Sequence, residues 1–115
     1  MIETKIREYL MQKVSAPVYL EVPAKIPSEY ILIQLIDAGK VEHVDAATFS
    51  VIVRSKTLYD TALLRDIVKD ALFDAISLSC ISHVDQGGEI AGIDSSNKVY
   101  QYDLTFNFYY YKEET

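Results

Sequence analysis

The residues that could do chemistry here are few. Cys80 and His83 stand at Cys-x-x-His spacing, and the second histidine, His43, lies far away in the chain. A structural zinc site takes four ligands, commonly as two such pairs, and this sequence has one pair and one cysteine. A Cys–His nucleophilic couple needs both side chains on one side of a strand. At this spacing on one strand they point to opposite faces. Gly87-Gly88 is followed by Glu89-Ile90-Ala91, with no Lys-Ser or Lys-Thr, so it is no phosphate-cradling loop. Asp85, Glu89 and Asp94 lack the regular ligand spacing of a calcium loop. Without a convergent acid, base, nucleophile or metal set, the chain reads as a non-enzyme that needs no cofactor.

Charge narrows the partners. Seventeen acidic residues face eleven basic ones, a net charge of −6. A nucleic-acid grip needs clustered Lys and Arg, so specific DNA binding is not expected. Nine tyrosines could stack on bases, but without basic residues beside them they read as core or interface. Asp66, Asp70 and Asp74 recur at four-residue steps, which reads as a solvated acidic face or as an acidic surface with a use. The lone cysteine fits a reducing compartment. Residues 1–14 hold Glu3, Lys5, Arg7, Glu8 and Lys13, unlike a signal peptide. No apolar run approaches the roughly 20 residues of a membrane span.

The elements that must position these groups form one expected domain, residues 1–115. The closing stretch Val99–Tyr111 alternates strictly. Tyr100, Tyr102, Leu104, Phe106, Phe108 and Tyr110 share one parity, and Gln101, Asp103, Thr105 and Asn107 the other. That is a strand with a core face, and a slip of one residue would bury Asp103 and Asn107. At about 3.4 Å per residue it spans roughly 44 Å, so it should bend or project towards a neighbour.

Ile2, Ile6, Tyr9, Leu10 and Val14 make one stripe of an amphipathic helix that Pro17 ends. Val18–Val22 lies between prolines and reads as an edge strand. Tyr30–Ile36 is apolar on both parities, as in a strand covered on both faces. Asp37–Asp45 reads as a loop at a hairpin tip, and Thr48–Arg54 as the returning strand with Phe49, Val51 and Val53 inward. Thr57 caps a helix from Leu58 to Ile76 or Ser77. Its buried stripe is expected to be Leu64, Ile67, Val68, Ala71, Leu72, Ala75 and Ile76. Cys80–Val84 reads as a strand, Asp85–Gly88 as a turn, Glu89–Ile93 as a short strand or excursion, and Asp94–Asn97 as a second turn. The fold class expected is α+β: a single domain with a mainly antiparallel sheet and two helices packed on one face. A split ferredoxin-like arrangement is the alternative.

Taken in order, these features resemble the small tail-terminator, or tail-completion, proteins of long-tailed bacteriophages and prophages. The resemblance rests on the short N-terminal helix, Pro17-Val18-Tyr19, Pro23, Pro27-Ser28-Glu29-Tyr30-Ile31 and the hydrophobic strand that follows. It continues through Thr48–Arg54 into the helix near Leu58, the Gly-bearing region and the Tyr/Phe-rich closing strand. The family has no active-site motif to carry over.

The resemblance implies a mechanical job. Subunits would form a ring, usually a hexamer, at the head-proximal end of the tail tube, stopping tube growth and offering the capsid neck a docking surface. Partners would be copies of itself, the tail tube protein and the neck or head-closure protein. DNA would pass through unbound. The setting would be the virion tail, or the host cytoplasm during assembly, without a membrane. A ring needs one patch meeting a different patch on the neighbour. Tyr30, Leu32, Ile36, Tyr109 and Tyr111 are the candidate subunit interface. Lys40, Glu42 and His43 in one loop, and Gln86, Glu89 and Asn97 in Asp85–Lys98, are candidate tube or neck contacts. Asp66, Asp70 and Asp74 are the candidate acidic lumen or surface. Competing readings are another head–tail joint protein, such as a head-closure or minor tail component, and a non-phage α+β ligand-binding or regulatory domain.

Overall fold

A computed structural model describes residues 2–41 and 44–111. Five strands form one sheet in the order β1-β2-β3-β5-β4: β1 (Val18–Tyr19), β2 (Tyr30–Val41), β3 (Val44–Ser55), β4 (Ile81–Asp94) and β5 (Val99–Tyr110). Only β1 runs parallel to its neighbour; the other pairings are antiparallel. Helices α1 (Ile2–Lys13) and α2 (Leu58–Asp74) share one hydrophobic core with a single face of the sheet. This is the expected α+β architecture. The consecutive hairpins exclude the split arrangement.

β5 holds the expected parity. Leu104, Phe106 and Phe108 are fully buried, and Asp103, Thr105 and Asn107 lie on the opposite face. Phe49 meets Phe108 edge-on at 5.6 Å, and Phe73 of α2 meets Phe106 at 5.2 Å. Ile6 and Leu10 of α1 and Val68 and Leu72 of α2 close the core from above. Thr57 caps α2 by accepting from the Asp60 N–H at 3.0 Å, as its position suggests. α2 ends at Asp74 and tightens into a 3-10 turn, Ala75–Ser77. Ile67 and Ile76, expected in the buried stripe, are each about half exposed, because the contact face of α2 is centred on Leu64, Val68 and Leu72.

The two hairpins are longer than the residue types suggest. β2 runs on to Val41 and β3 begins at Val44, so most of the expected loop Asp37–Asp45 is paired strand. Lys40 sits in that strand opposite Asp45, with 4.0 Å between Nζ and Oδ1. Glu42 and His43 lie outside the described residues. β4 is likewise one strand where a strand, a turn and a short strand were expected. Gly87 is accommodated in a register shift between Gln86 and Gly88 that bends the strand without ending it. Gln86 and Glu89 are therefore strand residues, and of the second loop only Ser95–Lys98 is a turn, holding Asn97. The proline-flanked strand is shorter than expected, with only Val18 and Tyr19 paired. The chain measures 48 × 24 × 23 Å, its long dimension matching the reach expected of the closing strand.

Candidate functional site

The residues singled out for chemistry stay apart. Cys80 is half-buried in the turn before β4, packs against the core, and accepts the Tyr111 N–H at its carbonyl, 2.8 Å away. His83 lies on the helix-free face beside the Tyr109 ring, 5.5 Å between centroids, with Asp85 Oδ2 at 3.5 Å from Nε2. His43 lies outside the described residues. Asp85, Glu89 and Asp94 diverge. Asp85 accepts from Asn107 on the helix-free face. Glu89 is on the helix face with Lys69 Nζ at 3.0 Å and Arg65 at 3.6 Å. Asp94 folds onto Ser96 and Asn97 in the turn, and those hydrogen bonds hold its carboxyl below the usual range. Among the described residues no cluster of three or more His, Cys, Asp or Glu side chains could hold a metal. No helix among them is long and apolar enough to cross a membrane.

What the fold builds instead is surface. The helix-free face of the sheet is crossed by rows of side chains set by the strand registers. One row runs Asp37, Thr48, Asn107, Asp85; another runs Gln34, Ser50, Thr105, Gly88. Thr48 Oγ1 donates to Asn107 Oδ1, and Asn107 Nδ2 donates to Asp85 Oδ1, each at 2.7 Å. Ser50 Oγ donates to Asp103 Oδ1, also at 2.7 Å. With Thr48, Asn107, Asp85, Ser50 and Asp103 bonded across the strands, this face is polar along those rows. A third row, Tyr19, Leu32, Ile52, Asp103, Ile90, is apolar at one end and ends in a 71% exposed isoleucine.

The expected interface residues divide. Tyr30 and Leu32 are buried within the chain, where β1 flanks β2 and Tyr19 meets Tyr30 edge-on at 6.5 Å. Of the candidate interface residues in this strand, Tyr30 and Leu32 are therefore not spare surface, while Ile36 is exposed. Cover stops after Ile33: Leu35 and Ile36 are exposed at the end of β2 that β1 does not reach. Tyr109 is half-buried beside His83, and Tyr111 is exposed.

Those exposed residues lie on the sheet's margins. Among the described residues β1 covers β2 only at Ile31 and Leu32, and residues 33–41 have no outer partner strand. β4 forms the opposite margin along its whole length, with Ile90 and Ile93 exposed. Length and hydrophobicity of these margins were not evident beforehand. The clues available were the doubly apolar pattern of Tyr30–Ile36, which includes Leu35 and Ile36, and the apolar Ile90 and Ile93 in a stretch read as a short strand or excursion.

Asp66, Asp70 and Asp74 do lie on the outer face of α2, interleaved with exposed Tyr59, Leu63 and Ile67. Two of the three carboxylates are engaged. Asp66 is 3.0 Å from Arg65, and Asp74 accepts the Tyr9 hydroxyl at 3.0 Å. Burial first, and then the Asp74 carboxylate, raise the Tyr9 hydroxyl above its usual pKa. Arg65 also stacks on the Tyr102 ring at 4.5 Å, tying the helix to β5. A shallow groove of about 230 Å³ opens between α1 and the 78–80 turn, lined by Glu8, Tyr9, Gln12 and Cys80 among others.

No protein-family model and no curated protein matches this chain.

Proposed function

We propose that this chain is a ring-forming tail-terminator protein of a long-tailed phage or prophage. It caps the head-proximal end of the tail tube, ends tube growth and gives the capsid neck a surface to dock on. One observation carries this reading beyond the order of elements: the sheet has two different unpaired margins on opposite sides, each with exposed isoleucine. Unprotected edges pair with other chains unless something prevents it. Two unlike edges on one subunit are what a head-to-tail ring requires, and a ring that closes leaves none exposed.

The acidic balance suits the passage of DNA through such a ring, since like charge prevents sticking. Both broad faces contribute. Asp66, Asp70 and Asp74 lie on the helix side. Asp37, Asp85 and Asp103 lie on the other, where Arg54 is a cation of the same parity. Either face turned inward gives the hole a carboxylate lining. The partners are further copies of the chain, the tube protein and the neck protein, in the virion tail and in the host cytoplasm during assembly. The Ser95–Lys98 turn and the Val41 and Val44 ends of β2 and β3 lie at opposite ends of the sheet, which suits contact with one partner at each end.

The test is particle mass over a range of concentrations with electron micrographs, joined to the tail phenotype of a null mutant. Annular particles, and tails of uncontrolled length without the gene, are expected. A chain that stays monomeric or closes as a dimer, with normal tails in its absence, overturns the proposal.

A further inference from the structure

We infer that neighbouring copies join by continuing the sheet, with residues 33–41 at the free margin of β2 lying antiparallel against β4 of the next copy. This rests on the ring reading and names its interface. Four observations converge. The direction is right: β2, β3, β5 and β4 alternate, so β2 and β4 are antiparallel across the sheet, and a neighbour set alongside in the same orientation brings them together as an antiparallel pair.

The heights also match. Following the registers across the sheet, Lys40 is level with Ile81, Asp37 with Asp85, Leu35 with Gln86 and Ile33 with Glu89. The part of β2 that β1 leaves bare therefore faces a stretch of β4 of the same extent. The bends match too. The β2 register shift lies between Leu35 and Asp37 and one β4 shift between Gln86 and Gly88, both beside the Phe49–Phe106 pair. The two shifts flank that row from opposite sides, so the margins bend within about two residues of one height and can run along each other.

The chemistry is that of an edge meant to be covered. Edge strands that stay single are commonly blunted by Lys or Pro. Residues 81–94 contain neither, and they expose Ile90 and Ile93; the bare part of β2 exposes Leu35 and Ile36, and its one lysine, Lys40, lies at the far end beside Asp45. A second copy set level covers residues 81–89 with 33–40, and one shifted along the strands also brings Ile90 and Ile93 against the bare part of β2. Closing a sheet on itself also requires the strands to stagger, so the pairing can be level or shifted along the strands.

Paired cysteines test this in a Cys80→Ser background. Leu35→Cys is combined with Gln86→Cys for the level register, and with Ala91→Cys for a staggered one. All three positions are on the helix face, as their partners Phe49, Phe106 and Tyr102 are. Within one chain the two margins are three strand spacings apart, about 14 Å, beyond the reach of a disulfide. A ladder of covalent multimers after oxidation is therefore intersubunit, and is the expected result for one of the pairs. Folded variants that assemble but link in neither pair overturn the sheet continuation and leave the ring standing. A wild-type chain that stays monomeric up to its solubility limit, with tails of normal length in its absence, overturns both. If the cysteine variants do not fold, Ile36→Lys and Ile90→Lys decide. Both sites are exposed, so loss of the oligomer with an unchanged unfolding midpoint supports the inference, and persistence of the oligomer in both overturns it.

Discussion

Thr48 and Asn107, 59 residues apart in the chain, are joined by a 2.7 Å hydrogen bond from Thr48 Oγ1 to Asn107 Oδ1 across the helix-free face. Asn107 passes the connection to Asp85 on β4. Three strands are thus tied side chain to side chain at one height, on the face that no helix covers. The core residues on the other face select the register by burial. This row selects it by hydrogen-bond geometry.

Asn107→Ala should destabilise the fold by about 1–2 kcal/mol, since two half-buried partners lose their bonds. A double-mutant cycle with Thr48→Val, followed by urea unfolding, should return a coupling of roughly 0.5–1 kcal/mol. Additive losses would mean that the row decorates a register set wholly by the core.

Phe106→Ala should cost about 3–5 kcal/mol, because the ring is fully buried between β3, β5 and α2 and the surrounding rings cannot collapse into its space. Phe73→Ala removes the other half of the same edge-on contact from a site 42% exposed, and should cost less, roughly 1–2 kcal/mol. Equal losses by thermal or urea unfolding would show that α2 is held mainly through Phe73.

Glu89 links β4 to α2 and gives the fold an acid-sensitive contact. Burial pushes its carboxyl up, but the hydrogen bonds from Lys69 and Gln86 and the charges of Lys69 and Arg65 outweigh this, leaving it below the usual carboxylate range. A depressed folded value means stability that is present above the ordinary carboxylate pKa and lost as the pH falls through the folded one. Glu89→Gln should therefore destabilise at neutral pH by about 0.5–1 kcal/mol, the size expected of a partly exposed pair. Its difference from wild type should vanish at strongly acid pH. Unfolding midpoints measured from pH 7 downward check both sign and window.

Thr57→Ala should cost about 1 kcal/mol through loss of the bond to the Asp60 N–H. Thr57→Ser should restore most of it. A neutral alanine variant would place the start of α2 under tertiary rather than capping control, to be read by chemical unfolding followed at 222 nm.

Local rules made much of this fold legible. The alternation in Val99–Tyr110 and the cap at Thr57 are properties of neighbouring residues, and both stand where their spacing puts them. The four-residue steps of Ile2, Ile6 and Leu10 place them inward for the same reason. The candidate surface was less legible. Asp37-Ala38-Gly39-Lys40 and Asp85-Gln86-Gly87-Gly88 have the composition of turns, yet both are strand, because β3 and β5 extend far enough to offer them ladder partners.

The sequence by itself determined which residues face inward along α1, β3 and β5, since helical and strand periods are short-range and burial follows them; on α2 it left Ile67 and Ile76 misplaced. Only the tertiary structure decided where the sheet ends. Tyr30 and Leu32 are hidden because β1 reaches them; Ile36 and Ile90 are bare because nothing in the described chain does. An edge is defined by the strand that fails to pair with it. That depends on contacts between segments far apart in the chain, and no local pattern encodes it.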